Sequence, residues 1–253
     1  MVRRSRACQS RNWTGYTAAV NGYGQFCPVA IAAEVFAHRW TPLILRELFA
    51  GSSQFNEIKR GLPRISKTTL AQRLRSLEST GVVTCKSSGP GRPVAYQLTA
   101  MGREFRPAIE SLGAWGQQSP LRFDRQNLDP ELLMWNVRRR LAAERLPVRR
   151  TLVRFSFTGL PARGRRARLF WLVIEGGEVE LCLKDPGDEV DLHVEADLEA
   201  FARLWLGETT FNAQLENGKL RLRGRPELAA AFPSWLLLSP FASLALRTPR
   251  NSA

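Results

Sequence analysis

Ser66-Lys67-Thr68-Thr69-Leu70-Ala71-Gln72-Arg73-Leu74-Arg75-Ser76-Leu77-Glu78-Ser79, residues 66–79, opens on a serine and stops two residues short of Gly81. A serine at that place predicts a helix cap, because its hydroxyl accepts from the unpaired amides of the first turn. Glycine just beyond the last apolar position predicts the helix end. Leu70, Leu74 and Leu77 recur at helical spacing and share one face. At about 100° per residue, Thr68, Gln72, Arg75 and Ser79 fall on the opposite face, with Thr69 and Ser76 beside them. A helix that buries leucine and offers Thr, Gln and Arg outward is polar without being acidic, which suits hydrogen bonding to base edges.

The surroundings fit that reading. Before Ser66, Phe55 to Leu62 has apolar residues at helical spacing and is broken by Pro63-Arg64-Ile65. Earlier still, Thr41-Pro42 opens a helix that ends at Gly51, and Pro28 opens another, with Cys27 as its cap. After Gly81, Val82–Lys86 and Val94–Leu98 read as two strands, and the turn-rich tip Ser87–Pro93 between them carries Arg92. Thr99 then caps a helix expected to run through Phe105, Ile109, Leu112 and Trp115. Helix, helix, helix, helix, two-stranded hairpin, helix is the order of a winged helix-turn-helix.

Charge separates the chain into halves. The net charge of +14 over 253 residues is concentrated early: residues 1–120 hold 16 basic and 6 acidic side chains, whereas residues 151–253 hold 13 of each. A basic half joined to a neutral half predicts a nucleic-acid binder with a second module. With 44% hydrophobic and 24% charged residues, composition is ordinary for folded domains and excludes wholesale disorder. No apolar run approaches the roughly 20 residues that span a bilayer, and Arg3-Arg4 is not followed by a signal-like apolar stretch, so a cytoplasmic protein without membrane attachment is expected. The four cysteines, Cys8, Cys27, Cys85 and Cys182, contain no CxxC pair, and only His38 and His193 accompany them. Neither a structural metal nor a disulfide framework is expected, and no cofactor. No phosphate loop, dinucleotide fingerprint or paired acid and base stands out, so an enzyme is not expected.

Cys27-Pro28-Val29, Arg39-Trp40-Thr41, Leu43 to Leu48, Phe55-Asn56-Glu57-Ile58, Ile65 to Glu78, Gly81-Val82-Val83 and Tyr96 to Gly102 fall in order. Together they resemble the HxlR-type branch of the MarR-like winged-helix regulators over about residues 26–118. The resemblance implies a sequence-specific transcriptional regulator that acts as a homodimer on double-stranded DNA. This chain departs from the pattern by its long basic arm, residues 1–25, and by a whole further domain.

That second half starts with a bridging helix within 119–149, opened by Asp129-Pro130 and followed by Arg138-Arg139-Arg140. From Leu152 the apolar period shifts toward two. Strands are expected at Arg168–Glu175, Glu178–Lys184, Val190–Glu195 and Lys219–Arg223, with a Gly176-Gly177 hairpin turn. Asp197 caps an apolar helix, Phe211 to Leu215 forms a short element, and a last helix runs from Pro226 to about Trp235. Val194 to Leu198, Leu206-Gly207 and Leu215 to Gly224 make residues 150–248 resemble the sterol-carrier-protein fold, a small sheet covered by helices. The fold class is therefore α+β in two domains, and the resemblance implies an apolar or lipid-like effector.

Candidate DNA contacts are Arg64, Ser66, Lys67, Thr68, Thr69, Gln72, Arg73, Arg75, Lys86 and Arg92. The cations would neutralise phosphates, while Thr68, Gln72 and Arg75 would read bases. Phe155, Phe157, Trp171, Phe201, Trp205, Phe211 and Trp235 are either core or the wall of an apolar pocket. Cys27, at a helix start, is a candidate redox or electrophile sensor, since the positive end of a helix favours thiolate. Dimerisation is expected through the Pro28 helix and the one after Thr99, with the arm around Trp13 and Tyr23 contributing. A cysteine-sensing regulator with a structural second domain, and a lipid carrier whose basic half binds something else, are the alternatives.

Overall fold

The computed structural model describes residues 22–87, 94–119, 125–161 and 168–245. The chain divides into two units, residues 1–111 and 112–253.

In the first unit α1 (Pro28–Phe36) and α2 (Thr41–Phe49) both carry proline in their first turn, where its missing N–H costs nothing. Trp40, which precedes α2, takes a left-handed conformation (φ 79°), and the Arg39 guanidinium lies 5.2 Å from its ring centroid. α3 (Phe55–Gly61) and α4 (Lys67–Ser79) follow, then β1 (Val83–Ser87) and β2 (Val94–Leu98), which pair antiparallel with Val83 opposite Leu98. Ile44, Leu45, Ile58, Leu70 and Leu74 are completely buried and form the centre of this core. The winged helix-turn-helix expected from the sequence is present.

One expectation is corrected. The helix after Thr99 is two helices, α5 (Ala100–Arg103) and α6 (Arg106–Gln118). Pro107 is the cause: it has no N–H to give the Arg103 carbonyl, and its ring would press on that carbonyl in a continuous helix. Thr99 does cap α5, its Oγ1 accepting from Gly102 N at 3.0 Å.

The second unit contains α7 (Pro130–Arg138), capped by Asp129, whose Oδ1 accepts from the amides of Glu131 and Leu132. Then come β3 (Thr151–Thr158), β4 (Leu169–Glu175), β5 (Glu178–Cys182), β6 (Leu192–Asp197), α8 (Leu198–Trp205), α9 (Phe211–Glu216), β7 (Leu220–Gly224), α10 (Pro226–Trp235) and α11 (Ala242–Ala245). The five strands form a mixed sheet in the order β5-β4-β3-β6-β7, with only β3 and β6 parallel. Gly176 and Gly177 both have positive φ, 59° and 82°, as the tight turn between β4 and β5 requires. Phe155, Phe170, Ile174 and Val194 on one sheet face are fully buried and share a core with Phe201 of α8 and Phe232 and Trp235 of α10.

Strand ends differ from expectation by one to three residues. β6 starts at Leu192 rather than Val190 and runs on to Asp197, and β5 stops at Cys182 ahead of the Asp185-Pro186-Gly187 turn. β7 starts at Leu220. The short element at Phe211 is a helix, capped by Thr210, whose Oγ1 accepts from Ala213 N. Asp191 ties β3 to the β7 end: its carboxylate accepts from Leu152 N at 2.9 Å and pairs with Arg149 at 2.9 Å and Arg225 at 3.4 Å. No helix among the described residues is long and apolar enough to cross a membrane.

Candidate DNA-binding face

α4 is set in place from both ends. Ser66 Oγ accepts from Thr69 N at 3.0 Å and lies 2.8 Å from Thr69 Oγ1, so serine and threonine hydroxyls secure the helix start together. Leu70, Leu74 and Leu77 anchor the inner face. Lys67, Thr68, Gln72 and Arg75 are exposed along α4, Arg64 and Ser66 are exposed just ahead of it, and Lys86 is exposed on β1. Thr69 and Arg73 are half-buried. The structure thus brings Thr68, Gln72 and Arg75 onto one accessible stripe, while Thr69 serves the cap. Arg92, Cys8 and Trp13 lie outside the described residues.

Two features that hold this face were not foreseen. The first is a buried polar clasp under the helix pair. Glu47 of α2 is fully buried, bonded to Arg46 at 2.7 Å and to Ser52 Oγ at 3.2 Å. Arg46 also donates to the Gly61 carbonyl at 3.1 Å, which fixes the end of α3. A Cβ at position 61 would collide with the Glu47 carboxylate, so only glycine permits this approach. The second is a seam between hairpin and helix. Gln54 forms a β-bridge with Ala95, and Tyr96 N donates to Ser53 O at 2.7 Å. Glu57 accepts from the amides of Ser53 and Gln54, so the start of α3 and the seam are one hydrogen-bonded unit.

Apolar surface remains exposed elsewhere. α1 buries no residue, and Phe26 and Val29 are 97% and 76% exposed. α6 also buries none, and Leu112 and Trp115 are exposed on it. Tyr23 N donates to Glu34 Oε1 at 2.9 Å, which lays the end of the arm along α1. Cys27 is exposed ahead of α1, where the Ala30 and Val29 amides hold its thiol below the ordinary value. Cys85 is half-buried in β1. Burial pushes the Cys182 thiol up, and the Glu180 carboxylate adds to that. Burial lowers His193, and the positive charge of Arg154 lowers it further. His38 is exposed. Among the described residues no three His, Cys, Asp or Glu side chains gather as a metal site would need.

In the second unit the expected pocket aromatics divide. Phe155 and Phe157 pack edge-on against Phe201, at 5.9 and 5.7 Å between centroids. Phe211 meets Phe232 at 5.9 Å, and Phe232 meets Trp235 at 5.6 Å. Trp205 joins the same core. The rings fill one another's space, and the crevice lined by Ala196, Phe201, Leu204, Gln214 and Leu220 has no room for a water molecule. Trp171 is not part of this group. It pairs in register with Arg154, whereas Phe155 pairs with Phe170, so Trp171 lies on the opposite face of the sheet.

A capped, leucine-anchored helix with an exposed Thr-Gln-Arg stripe beside a two-stranded wing defines a winged-helix DNA-binding protein. The HxlR-like helix-turn-helix family model matches residues 35–122. An uncharacterised HTH-type transcriptional regulator of Synechocystis sp. is 38% identical over 101 residues, which cover 38% of this chain and 74% of that one. One from Bacillus subtilis, YdeP, is 32% identical over 100 residues, covering 39% of this chain and 78% of that one. Among solved structures, the reduced form of the B. subtilis transcriptional regulator YodB is 30% identical and covers 40% of this chain and 100% of that chain, with a TM-score of 0.34. The chain belongs to the HxlR-like helix-turn-helix family of transcriptional regulators.

Proposed function

We propose that the protein is a transcriptional regulator that binds a roughly two-fold operator as a homodimer and inserts α4 of each protomer into successive major grooves. The observation that carries this is the exposed stripe of Thr68, Gln72 and Arg75 on a helix whose other face is locked in the core. Glutamine matches the adenine edge and arginine the guanine edge. Arg64, Lys67, Arg73, Lys86 and Arg92 supply phosphate contacts. The unburied apolar residues of α1 and of α6 support pairing of two protomers, which would set the recognition helices about 34 Å apart. Selection of bound fragments from a random DNA library tests the proposal. An enriched inverted repeat is the expected result, and recovery of unselected sequence refutes it. An enriched repeat also refutes the reading as a lipid carrier whose basic half serves another purpose.

The second unit, on this reading, is a sterol-carrier-like module for an apolar effector. Support comes from its helix-covered sheet and aromatic core, which an entering ligand would have to open. The effector acts by binding the DNA-competent and incompetent states unequally. Native mass spectrometry of protein drawn from cells tests this: copurified lipid supports it, and a bare polypeptide mass opposes it.

A second reading is favoured by Cys27. An exposed thiol at a helix start, lowered by two amides, is placed to react with oxidants or electrophiles. Loss of operator binding on alkylation of Cys27 alone would support it, and unchanged binding would retire it.

A further inference from the structure

The sheet face that carries Trp171 holds an unusual row. Register places Cys182 of β5, Trp171 of β4, Arg154 of β3, His193 of β6 and Arg223 of β7 side by side. Cross-strand partners share a face, so these five side chains stand on the side of the sheet away from Phe155 and Phe170.

Two neighbours in that row have unmet donors. Trp171 is only 5% exposed, and its Nε1–H is buried with no acceptor. The Nε–H of Arg154 is buried and equally without an acceptor. Among the described residues the Arg154 guanidinium has no ion pair either. Buried donors without acceptors are rare in native folds. Trp235 Nε1 is also unmatched, but it sits among the closely packed rings of the core, where nothing polar fits. The Trp171–Arg154 pair is different because it borders half-exposed His193 and exposed Arg223.

The surroundings define what would satisfy the pair. Toward β4 the same face has an apolar strip, with Leu152 buried, Val173 half-buried and Leu169 40% exposed, bounded on the β5 side by exposed Glu180 opposite Val173. Toward β7 it is cationic, with Arg221 and Arg223 exposed. Glu195 stands beside Arg221 and 3.8 Å from Arg223. That carboxylate offsets part of the charge and opposes a doubly charged guest. His193, lowered by burial and by Arg154, adds a neutral imidazole and no further charge.

We propose that this face binds the carboxylate of a small organic acid through Arg154 and Trp171, with the acid's apolar body over the Leu169–Val173 side. A planar carboxylate matches the guanidinium fork, and Arg154 is the cation of the row that no described carboxylate pairs. The site is separate from the core-side space of the sterol-carrier reading and does not depend on it or on DNA binding.

Indole N–H signals of the 15N-labelled full-length protein give a direct test. The chain has seven tryptophans, so Trp171→Phe assigns the resonance. Sodium benzoate at constant ionic strength is the probe, with benzyl alcohol and inorganic phosphate as comparisons. Benzoate should move the Trp171 signal saturably and leave Trp235 unchanged, benzyl alcohol should not move it, and Arg154→Gln should weaken binding at least tenfold. If that variant fails to fold, Arg223→Gln on the exposed edge should still weaken benzoate severalfold. No saturable movement by about 50 mM, well beyond the range of a fragment-sized ligand, overturns the site. Equal saturation by phosphate overturns the assignment to a carboxylate, and equal saturation by benzyl alcohol overturns the role of charge.

Discussion

Replacing Gln72 or Arg75 by alanine should cost affinity only where base sequence matters. From Thr68 to Arg75 the helix rises about 10 Å, the length of about three base pairs. Each bidentate base contact contributes about 1–3 kcal/mol of discrimination. The proposed two-fold dimer would make each contact twice, so a single substitution removes about 2–6 kcal/mol, or about 30-fold to 10⁴-fold in operator affinity. Neither side chain carries the helix, because the buried leucines and the Ser66 cap do that, and the folded structure should survive. Lys67→Ala should act otherwise. It should weaken operator and scrambled duplex alike and reduce the log–log salt slope by about 0.9 for each phosphate no longer neutralised, or about 1.8 per dimer. Fluorescence anisotropy on both duplexes, repeated at several salt concentrations, separates the two behaviours. Equal losses on operator and scrambled DNA for Gln72→Ala and Arg75→Ala would refute the assignment of base reading to this stripe.

Three further outcomes follow from geometry already described. Gly61→Ala drives a methyl group into the Glu47 carboxylate and should cost about 1–3 kcal/mol, read as an earlier urea midpoint, whereas wild-type stability would contradict the clasp. Iodoacetamide near neutral pH should label Cys27, lowered by the Ala30 and Val29 amides, well before Cys182, which burial raises; peptide mass spectrometry decides the order. Burial tends to raise Asp191, but Leu152 N, Arg149 and Arg225 together hold its carboxyl below the ordinary 3.8. Its stabilising effect is therefore complete above that value and lost as pH falls through the lowered one. Asp191→Asn should lower stability at neutral pH and flatten the acid end of the stability curve, and an unchanged slope below about pH 4 would contradict this.

Local signals in the chain were legible because they act over one helical turn. Ser66, Thr99, Asp129 and Asp197 all cap the helices their positions suggested, and the 3.6-residue spacing of Leu70, Leu74 and Leu77 selected the buried face of α4. Pro107 was visible too, but the apolar spacing of Phe105, Ile109 and Leu112 concealed its effect. The six residues of α9 are too few to show a period. Residues 169–174 are apolar throughout, so no polar beat marks which face Trp171 takes, and only the pairing with Arg154 reveals it. The bridge of Gln54 to Ala95 and the bond of Glu47 to Ser52 join residues whose partners no spacing rule identifies. They position the candidate face nonetheless.

The Ser53–Tyr96 and Gln54–Ala95 seam has a mechanical consequence. It welds the hairpin to the segment that launches α3, and α3 is itself clasped to α2, so hairpin, α3 and α2 move as one piece. In the proposed dimer, a silencing signal would then shift that piece whole, altering the stride between two copies and leaving the grip of each copy unchanged. Half-operators should accordingly keep their intrinsic strength in the silenced state, and only the advantage of having two should vanish.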